Sequence, residues 1–210
     1  MNTDPIAAAI AFGVLLISLT IHEAAHAWTA DKLGDPTARR LGRVSLNPLV
    51  HIDWIGTVLL PIIAAVSGLP LIGWAKPVPV NMNNLREPRR DFMLIAAAGP
   101  ISNLLQAFAA AAVLRMALGS LPLSGEVTPL ISTLYLAIQI NLLLAFFNLI
   151  PVPPLDGGNV LLGLLPPRLA SSYGQLRQYG FILLYALMFT GLATAWITPP
   201  TNFFMRILLP

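Results

Sequence analysis

Long runs of apolar residues, separated by short polar stretches, make up most of the chain. Four of these runs reach the roughly 20 residues that a helix needs to cross the bilayer core, and they span residues 6–30, 92–118, 127–150 and 179–197. A fifth run, residues 54–74, is interrupted by Pro61, Gly68 and Pro70. The pattern predicts an all-α polytopic membrane protein with about four transmembrane helices.

The composition agrees with a membrane protein, because 56% of the 210 residues are hydrophobic and only 10% are charged, against about 25% in a typical soluble domain. The absence of cysteine excludes disulfides, thiolate zinc sites and cysteine catalysis. The net charge of +3 comes from loop residues without interleaved aromatics, which indicates lipid headgroups as partners and not nucleic acid. No repeat or linker divides the chain, so we expect one membrane-embedded domain over residues 1–210.

The basic residues of the loops predict how the helices are oriented. They are concentrated in three polar stretches, namely Lys32, Arg39, Arg40 and Arg43; Lys76, Arg86, Arg89 and Arg90; and Arg168 and Arg177. By the positive-inside rule these stretches face the cytoplasm, so residues 54–74 begin and end on that side. We therefore expect residues 54–74 to form a re-entrant or interfacial hairpin, followed by a short extended segment with the sequence GWAKPVPVN.

Two histidines and a glutamate stand near the end of the first apolar run, in the motif H-E-x-x-H formed by His22, Glu23 and His26. Residues four apart lie on one face of a helix, so the two imidazoles could grip one metal ion. The motif is the zinc-metalloprotease pattern, in which the glutamate acts as general base. Ionisable residues inside a membrane helix cost about 2.5–3.5 kcal/mol and are usually functional. The alternative, two histidines satisfied by neighbouring backbone, leaves Glu23 without a partner.

A catalytic zinc takes three protein ligands, and the sequence offers two candidates for the third. Asp156 lies in FNLIPVPPLDGG, where prolines break an apolar segment, as in many membrane ion sites; an ordinary turn with Asp156 as a helix cap is the alternative. His51, in NPLVHID, is the other candidate, although packing or a loop hydrogen bond suits it better. If residues 54–74 do not cross the membrane, the two later crossings return Asp156 to the face of His22 and His26.

Three motifs together, HEAAHAW, AAAGPISN and FNLIPVPPLDGG, resemble the site-2 protease family of membrane-embedded zinc metalloproteases. The resemblance covers most of the chain, from the H-E-x-x-H helix to the last apolar run. It implies one Zn²⁺ per chain held by His22, His26 and Asp156, with Glu23 activating a water molecule. It also implies a supporting role for Asn148 near the reacting carbonyl. We see no stretch of PDZ or CBS type and expect a minimal member of the family.

The reaction that this resemblance implies is hydrolysis of peptide bonds within or near transmembrane helices of other membrane proteins, as in regulated intramembrane proteolysis. We expect the chain in a bacterial or archaeal cytoplasmic membrane, with the active site toward the cytoplasm. Asn148 could donate a hydrogen bond to the developing oxyanion or else bond between helices. We interpret Asn103 mainly as a packing residue, with Gly99 and Pro100 allowing close helix approach or a kink.

Two other functions fit parts of the pattern. Two histidines and a carboxylate also suit non-haem Fe(II) oxygenases, but the three histidines of this chain are far fewer than membrane desaturases need. A metal-binding membrane transporter or a catalytically inactive scaffold is the other alternative. Transport predicts a polar path through the membrane, and the last two long runs contain few polar groups beyond Gln139, Asn141 and Asn148.

Overall fold

The computed structural model describes residues 5–60, 63, 75–120 and 128–209. Its α-helices are, in chain order, α1 (Pro5–Lys32), α2 (Thr37–Arg40), α3 (Pro88–Ser120), α4 (Pro129–Asn148), α5 (Asp156–Leu164), α6 (Pro167–Gly174), α7 (Gly180–Phe189) and α8 (Leu192–Leu208). Shorter helical turns cover Pro48–Val50, Trp54–Leu59, Met82–Asn84 and Gln175–Tyr179. No β-strand occurs in the described ranges, which confirms the all-α prediction.

Three helices are long and apolar enough to cross a membrane: α1, residues Pro88–Gly119 of α3, and α4. The pair Pro167–Phe189 and Leu192–Leu208 could supply a fourth crossing, although it is bent by 71°. About four crossings are therefore confirmed. The prediction of one continuous helix over residues 179–197 is wrong, because Gly191 adopts a left-handed conformation with φ of 76° between α7 and α8.

Helix α3 packs against α1, α4 and α5 and forms the centre of the bundle. The small side chains of Ala107 and Ala111 on α3 are buried and let α4 approach closely. Leu114 of α3 packs with Leu142 of α4, and Leu208 at the end of α8 joins the same cluster. Large apolar side chains on the outer faces are exposed, among them Leu105, Met116 and Ile182. This arrangement suits a bundle surrounded by lipid, with its polar side chains turned inward.

The long connection between α1 and α3 begins and ends at the same end of the bundle. His26, near the end of α1, contacts Ile95, near the start of α3. Within the connection the amide of Lys76 donates to the carbonyl oxygen of His51 at 2.8 Å. The flanks of the predicted hairpin therefore lie together, as the sequence predicts. Its middle, residues 61, 62 and 64–74, lies outside the described residues.

Arg43 joins the two flanks of this connection. Its buried guanidinium donates to the carbonyl oxygens of Val50 and Lys76 and, at 3.3 Å, to that of Pro77. Burial lowers the pKa of Arg43 below its ordinary value, although the negative charge of Glu23 opposes this effect. The planar fork of a guanidinium can serve several carbonyls at once, which an ammonium group does less well.

Asp35 ties the turn after α1 to residues 81–84. Its fully buried carboxylate accepts hydrogen bonds from the amide of Asn81 at 2.6 Å, from Nδ2 of Asn84 at 2.8 Å and from the amide of Thr37 at 3.1 Å. Burial raises the pKa of Asp35, but these hydrogen bonds outweigh burial and hold the pKa below its usual value. Residues 75–81, which precede this contact, belong to no helix, in agreement with the predicted extended segment.

Candidate metal centre

His22 and His26 lie one turn apart on the inward face of α1, and both side chains are buried. Their Nε2 atoms are 3.0 Å apart, and the two rings meet edge to face with centroids 4.7 Å apart. The spacing of the motif therefore places both imidazoles toward one point inside the bundle, as predicted from the sequence. Placing two imidazoles inside a membrane bundle costs free energy, so they need a polar partner from another helix.

That partner is Asp156, the first residue of α5. Its Oδ2 atom lies 3.1 Å from Nε2 of His22 and 3.4 Å from Nε2 of His26. The glycines that follow explain how the chain reaches this position. A Cβ on Gly157 would overlap the backbone of Leu149, and a Cβ on Gly158 would lie 2.7 Å from the backbone nitrogen of Pro153. Only glycine lets α5 begin directly against the proline-rich loop.

Hydrogen bonds on the far side of each ring fix which nitrogen carries the proton. Nδ1 of His22 lies 2.6 Å from Oδ1 of Asn103, and Nδ1 of His26 lies 2.7 Å from the carbonyl oxygen of Ile95. Both partners are acceptors, so each Nδ1 donates, and each Nε2 of a neutral imidazole carries a lone pair. Two lone pairs and the buried Oδ2 of Asp156, which has no hydrogen bond, then converge with no donor between them. Such an arrangement calls for a cation.

The three ligand atoms lie within 4.8 Å of one another, and in the described part of the chain no other group of histidine, cysteine or acidic side chains has this geometry. Two imidazole nitrogens and one carboxylate oxygen form a donor set that zinc accepts in catalytic sites, with a fourth position left for water. The residues present therefore fit a zinc ion. His51 takes no part, because its Nε2 bonds to the carbonyl oxygen of Ser45 at 2.8 Å in the connecting loop.

Gly99 of α3 keeps the space around these nitrogens open. A Cβ at this position would lie within 2.5 Å of Nε2 of both His22 and His26. The expectation that Gly99 allows close helix approach therefore agrees with the structure, and the partner it approaches is the ligand pair itself. Pro100, the next residue, lies buried inside α3.

Glu23, the residue after His22, is half-buried. It is not part of the group formed by His22, His26 and Asp156. Its carboxylate interacts electrostatically with His26 and with Arg43. A glutamate next to candidate metal ligands, yet outside their group, is the kind of residue that can serve as a general base. Its catalytic role stays a prediction.

The two asparagines singled out in the sequence have different surroundings. Nδ2 of Asn148 donates to the carbonyl oxygen of Leu144 in its own helix at 2.9 Å, and its role near the reacting carbonyl stays a prediction. Asn103 is fully buried and contacts His22, so its interpretation as mainly a packing residue is wrong. The available signal was an amide four residues after Gly99 in a predominantly apolar part of the helix.

Two histidines and a carboxylate that could hold a metal ion lie among membrane-spanning helices, with a glutamate beside them, and this donor set is of the kind that zinc hydrolases use. Comparison with known proteins leads to the same class. The family model described as "Peptidase family M50" matches residues 123–190, a range that includes Asp156.

Similar proteins carry names of the same kind. The chain is 41% identical over 190 residues to "Putative zinc metalloprotease YwhC" of Bacillus subtilis (strain 168), covering 90% of this chain and 84% of that protein. It is 29% identical over 182 residues to "Putative zinc metalloprotease Rip2" of Mycolicibacterium smegmatis, covering 86% of this chain and 67% of that protein. The Rip2 protein of Mycobacterium tuberculosis (strain H37Rv) is 27% identical over 186 residues. No solved structure matches the chain.

The chain belongs to peptidase family M50, the site-2 protease family, and is a zinc metalloprotease of the membrane. The resemblance noted in the sequence is thereby confirmed, together with the expected Zn²⁺ cofactor.

Proposed function

We propose that this protein hydrolyses peptide bonds within or near the transmembrane helices of other membrane proteins, in regulated intramembrane proteolysis. One observation carries the proposal: Nε2 of His22, Nε2 of His26 and Oδ2 of Asp156 converge inside a bundle of apolar helices. A protease whose reactive centre is buried at this depth is suited to peptide bonds that themselves lie in or near the membrane.

In the proposed mechanism His22, His26 and Asp156 hold one Zn²⁺ per chain. A zinc ion bound there would act as a Lewis acid: it would polarise the scissile carbonyl and let a water molecule lose a proton at near-neutral pH. Glu23 accepts the proton of the attacking water and passes it to the leaving nitrogen. Asn148 donates a hydrogen bond to the oxygen on which negative charge develops, through the N–H of its amide that is not used for the carbonyl oxygen of Leu144.

We also propose that the site opens toward the cytoplasm of a bacterial or archaeal cell and that residues 1–210 act as one membrane-embedded domain. The connection that carries Lys32, Arg43 and Lys76 joins the end of α1 to the start of α3, where His26 and Ile95 meet. Excess positive charge at this end favours a cytoplasmic location.

The test uses Glu23→Gln in protein reconstituted into vesicles with a reporter membrane protein that has one transmembrane helix. We expect the variant to keep one zinc per chain and to lose cleavage of the reporter, because the amide cannot accept the proton. Asp156→Asn should lose zinc and cleavage together. Glu87→Gln is the matched control, since Glu87 is an exposed residue that pairs with Arg90 on the surface.

Unaltered cleavage by Glu23→Gln would refute the assigned base. A transporter would move metal ions across the vesicle membrane without cutting the reporter in any form, and an inactive scaffold would do neither. Zinc retained at full stoichiometry by Asp156→Asn would refute the ligand set.

A further inference from the structure

We propose that Asn103 is a positioning residue that sets the zinc affinity of the site by holding His22 in one tautomer. The proposal rests on the zinc ligands named under the proposed function. Asn103 is fully buried in α3, and its Oδ1 atom lies 2.6 Å from Nδ1 of His22 in α1. An imidazole that donates through Nδ1 must present the lone pair of Nε2 to the metal.

The orientation of the Asn103 amide is itself fixed by a chain of hydrogen bonds from three helices. Nδ2 of Asn103 donates to Oδ1 of Asn141 in α4 at 2.9 Å and to the carbonyl oxygen of Ser18 in α1 at 3.4 Å. Nδ2 of Asn141 donates to Oγ of Ser18 at 3.0 Å and to the carbonyl oxygen of Ala137 at 2.9 Å. The side chains of Ser18, Asn103 and Asn141 are all buried in the bundle.

The backbone carbonyls of Ser18 and Ala137 fix the direction of these hydrogen bonds, because a carbonyl oxygen can only accept. The carbonyl of Ala137 requires the nitrogen of the Asn141 amide, which leaves Oδ1 of Asn141 to face Asn103. That oxygen and the carbonyl of Ser18 require the nitrogen of the Asn103 amide. Oδ1 of Asn103 is then left for His22. A flipped Asn103 amide would set its oxygen against Oδ1 of Asn141 and against the carbonyl oxygen of Ser18.

A partner of this kind orients a metal ligand before the metal arrives. Loss of an outer hydrogen bond to a ligating histidine typically weakens metal affinity by about 10–100-fold. Without its acceptor the imidazole of His22 is free to place the proton on Nε2, which removes the lone pair from the site. The expected effect is therefore weaker zinc binding, which can be measured without any peptide cleavage.

The chain offers a closely matched control. Gln106 lies on the same helix, and its Nε2 also donates to the carbonyl oxygen of Ser18 at 3.4 Å. Both Asn103→Leu and Gln106→Leu thus remove an amide donor to Ser18, but only the first removes the acceptor of His22.

Zinc dissociation constants are measured by chelator competition on each purified full-length variant in detergent, with thermal melting of the zinc-free proteins alongside. We expect Asn103→Leu to bind zinc about 10–100-fold more weakly than wild type. Gln106→Leu should bind as wild type does. Wild-type affinity in Asn103→Leu, or an equal loss in Gln106→Leu, would overturn the proposal.

A second measurement requires no substitution. Nitrogen-15 chemical shifts of the His22 ring in zinc-free wild-type protein should show Nδ1 protonated and Nε2 bare, and the opposite tautomer would overturn the inference. The two proposals fail separately. If His22→Ala leaves zinc affinity unchanged, the proposed ligand set is wrong; if it abolishes binding while Asn103→Leu has no effect, only the role of Asn103 is wrong.

Discussion

Replacing Gly99 by alanine should strongly weaken zinc binding through a single methyl group. The added Cβ would lie within 2.5 Å of Nε2 of His22 and His26, whereas real Cβ contacts essentially never fall under 3.0 Å. Each imidazole must therefore retreat by at least 0.5 Å, the difference between these two distances. Metal–ligand distances in working sites hold to about ±0.2 Å, so this displacement exceeds what the site tolerates.

The two imidazole rings cannot move away freely, because each is held by a hydrogen bond at its Nδ1 atom. Nδ1 of His22 bonds to Asn103 at 2.6 Å and Nδ1 of His26 to the carbonyl of Ile95 at 2.7 Å. A shift of α3 away from α1 would relieve the overlap but would stretch the same bonds. Since a ligand is displaced directly, we expect a loss of zinc affinity greater than the roughly 100-fold upper range for outer hydrogen bonds.

The assay is chelator competition for zinc on detergent-purified protein, with melting temperature as the check on folding. Gly119→Ala is the control, because Gly119 lies on the same helix and its added Cβ would meet nothing within 4 Å. That change should leave zinc affinity intact and stabilise the helix by about 0.5–1 kcal/mol. Zinc binding by folded Gly99→Ala at wild-type affinity would refute the convergence of the two imidazoles on this point.

Two further predictions concern the connection between α1 and α3. Arg43→Leu removes the hydrogen bonds that the guanidinium donates to the carbonyl oxygens of Val50 and Lys76, and a hydrogen bond from a charged group contributes about 1.5–3 kcal/mol. Limited proteolysis should therefore cut the connection faster than in wild type. Arg43→Lys should restore only part of the protection, and equal protection in all three forms would contradict the role of the guanidinium. Asp35, whose pKa is lowered in the folded state, stabilises the protein above the ordinary carboxyl pKa near 3.9. This stabilisation should be lost as pH falls through the lower folded value, because the unfolded chain binds the proton first. Melting temperature against pH should show a shallower acid limb for Asp35→Asn, and unchanged curves would exclude the effect.

The helices and the first two candidate ligands could be predicted from local sequence, for a physical reason. In lipid every backbone group must be satisfied within its own helix, so the length of an apolar run determines where α1, α3 and α4 lie. His22 and His26 are four residues apart, and the pitch of a helix alone places them on one face. The break at Gly191 was missed because hydropathy continues unchanged through the bend.

Asp156 could be predicted from the sequence only in part. The prolines and glycines around it mark a broken segment, and the number of crossings could bring it back to the right side, but neither could exclude a simple turn. The contact with His22 joins residues that are far apart in the chain, and it depends on how α5 packs against α3.

The sequence by itself determined the class of protein, the approximate number of crossings and the candidate metal-binding pair, since these depend on apolar length and helical pitch. The tertiary structure alone decided that Gly99 makes room for the imidazoles, that Asn103 faces His22 and that Arg43 closes the connecting loop. Each of these depends on the rotation of one helix, or the path of one loop, relative to a distant neighbour. Local pattern carries no information about that rotation, because many rotations bury the same apolar residues equally well.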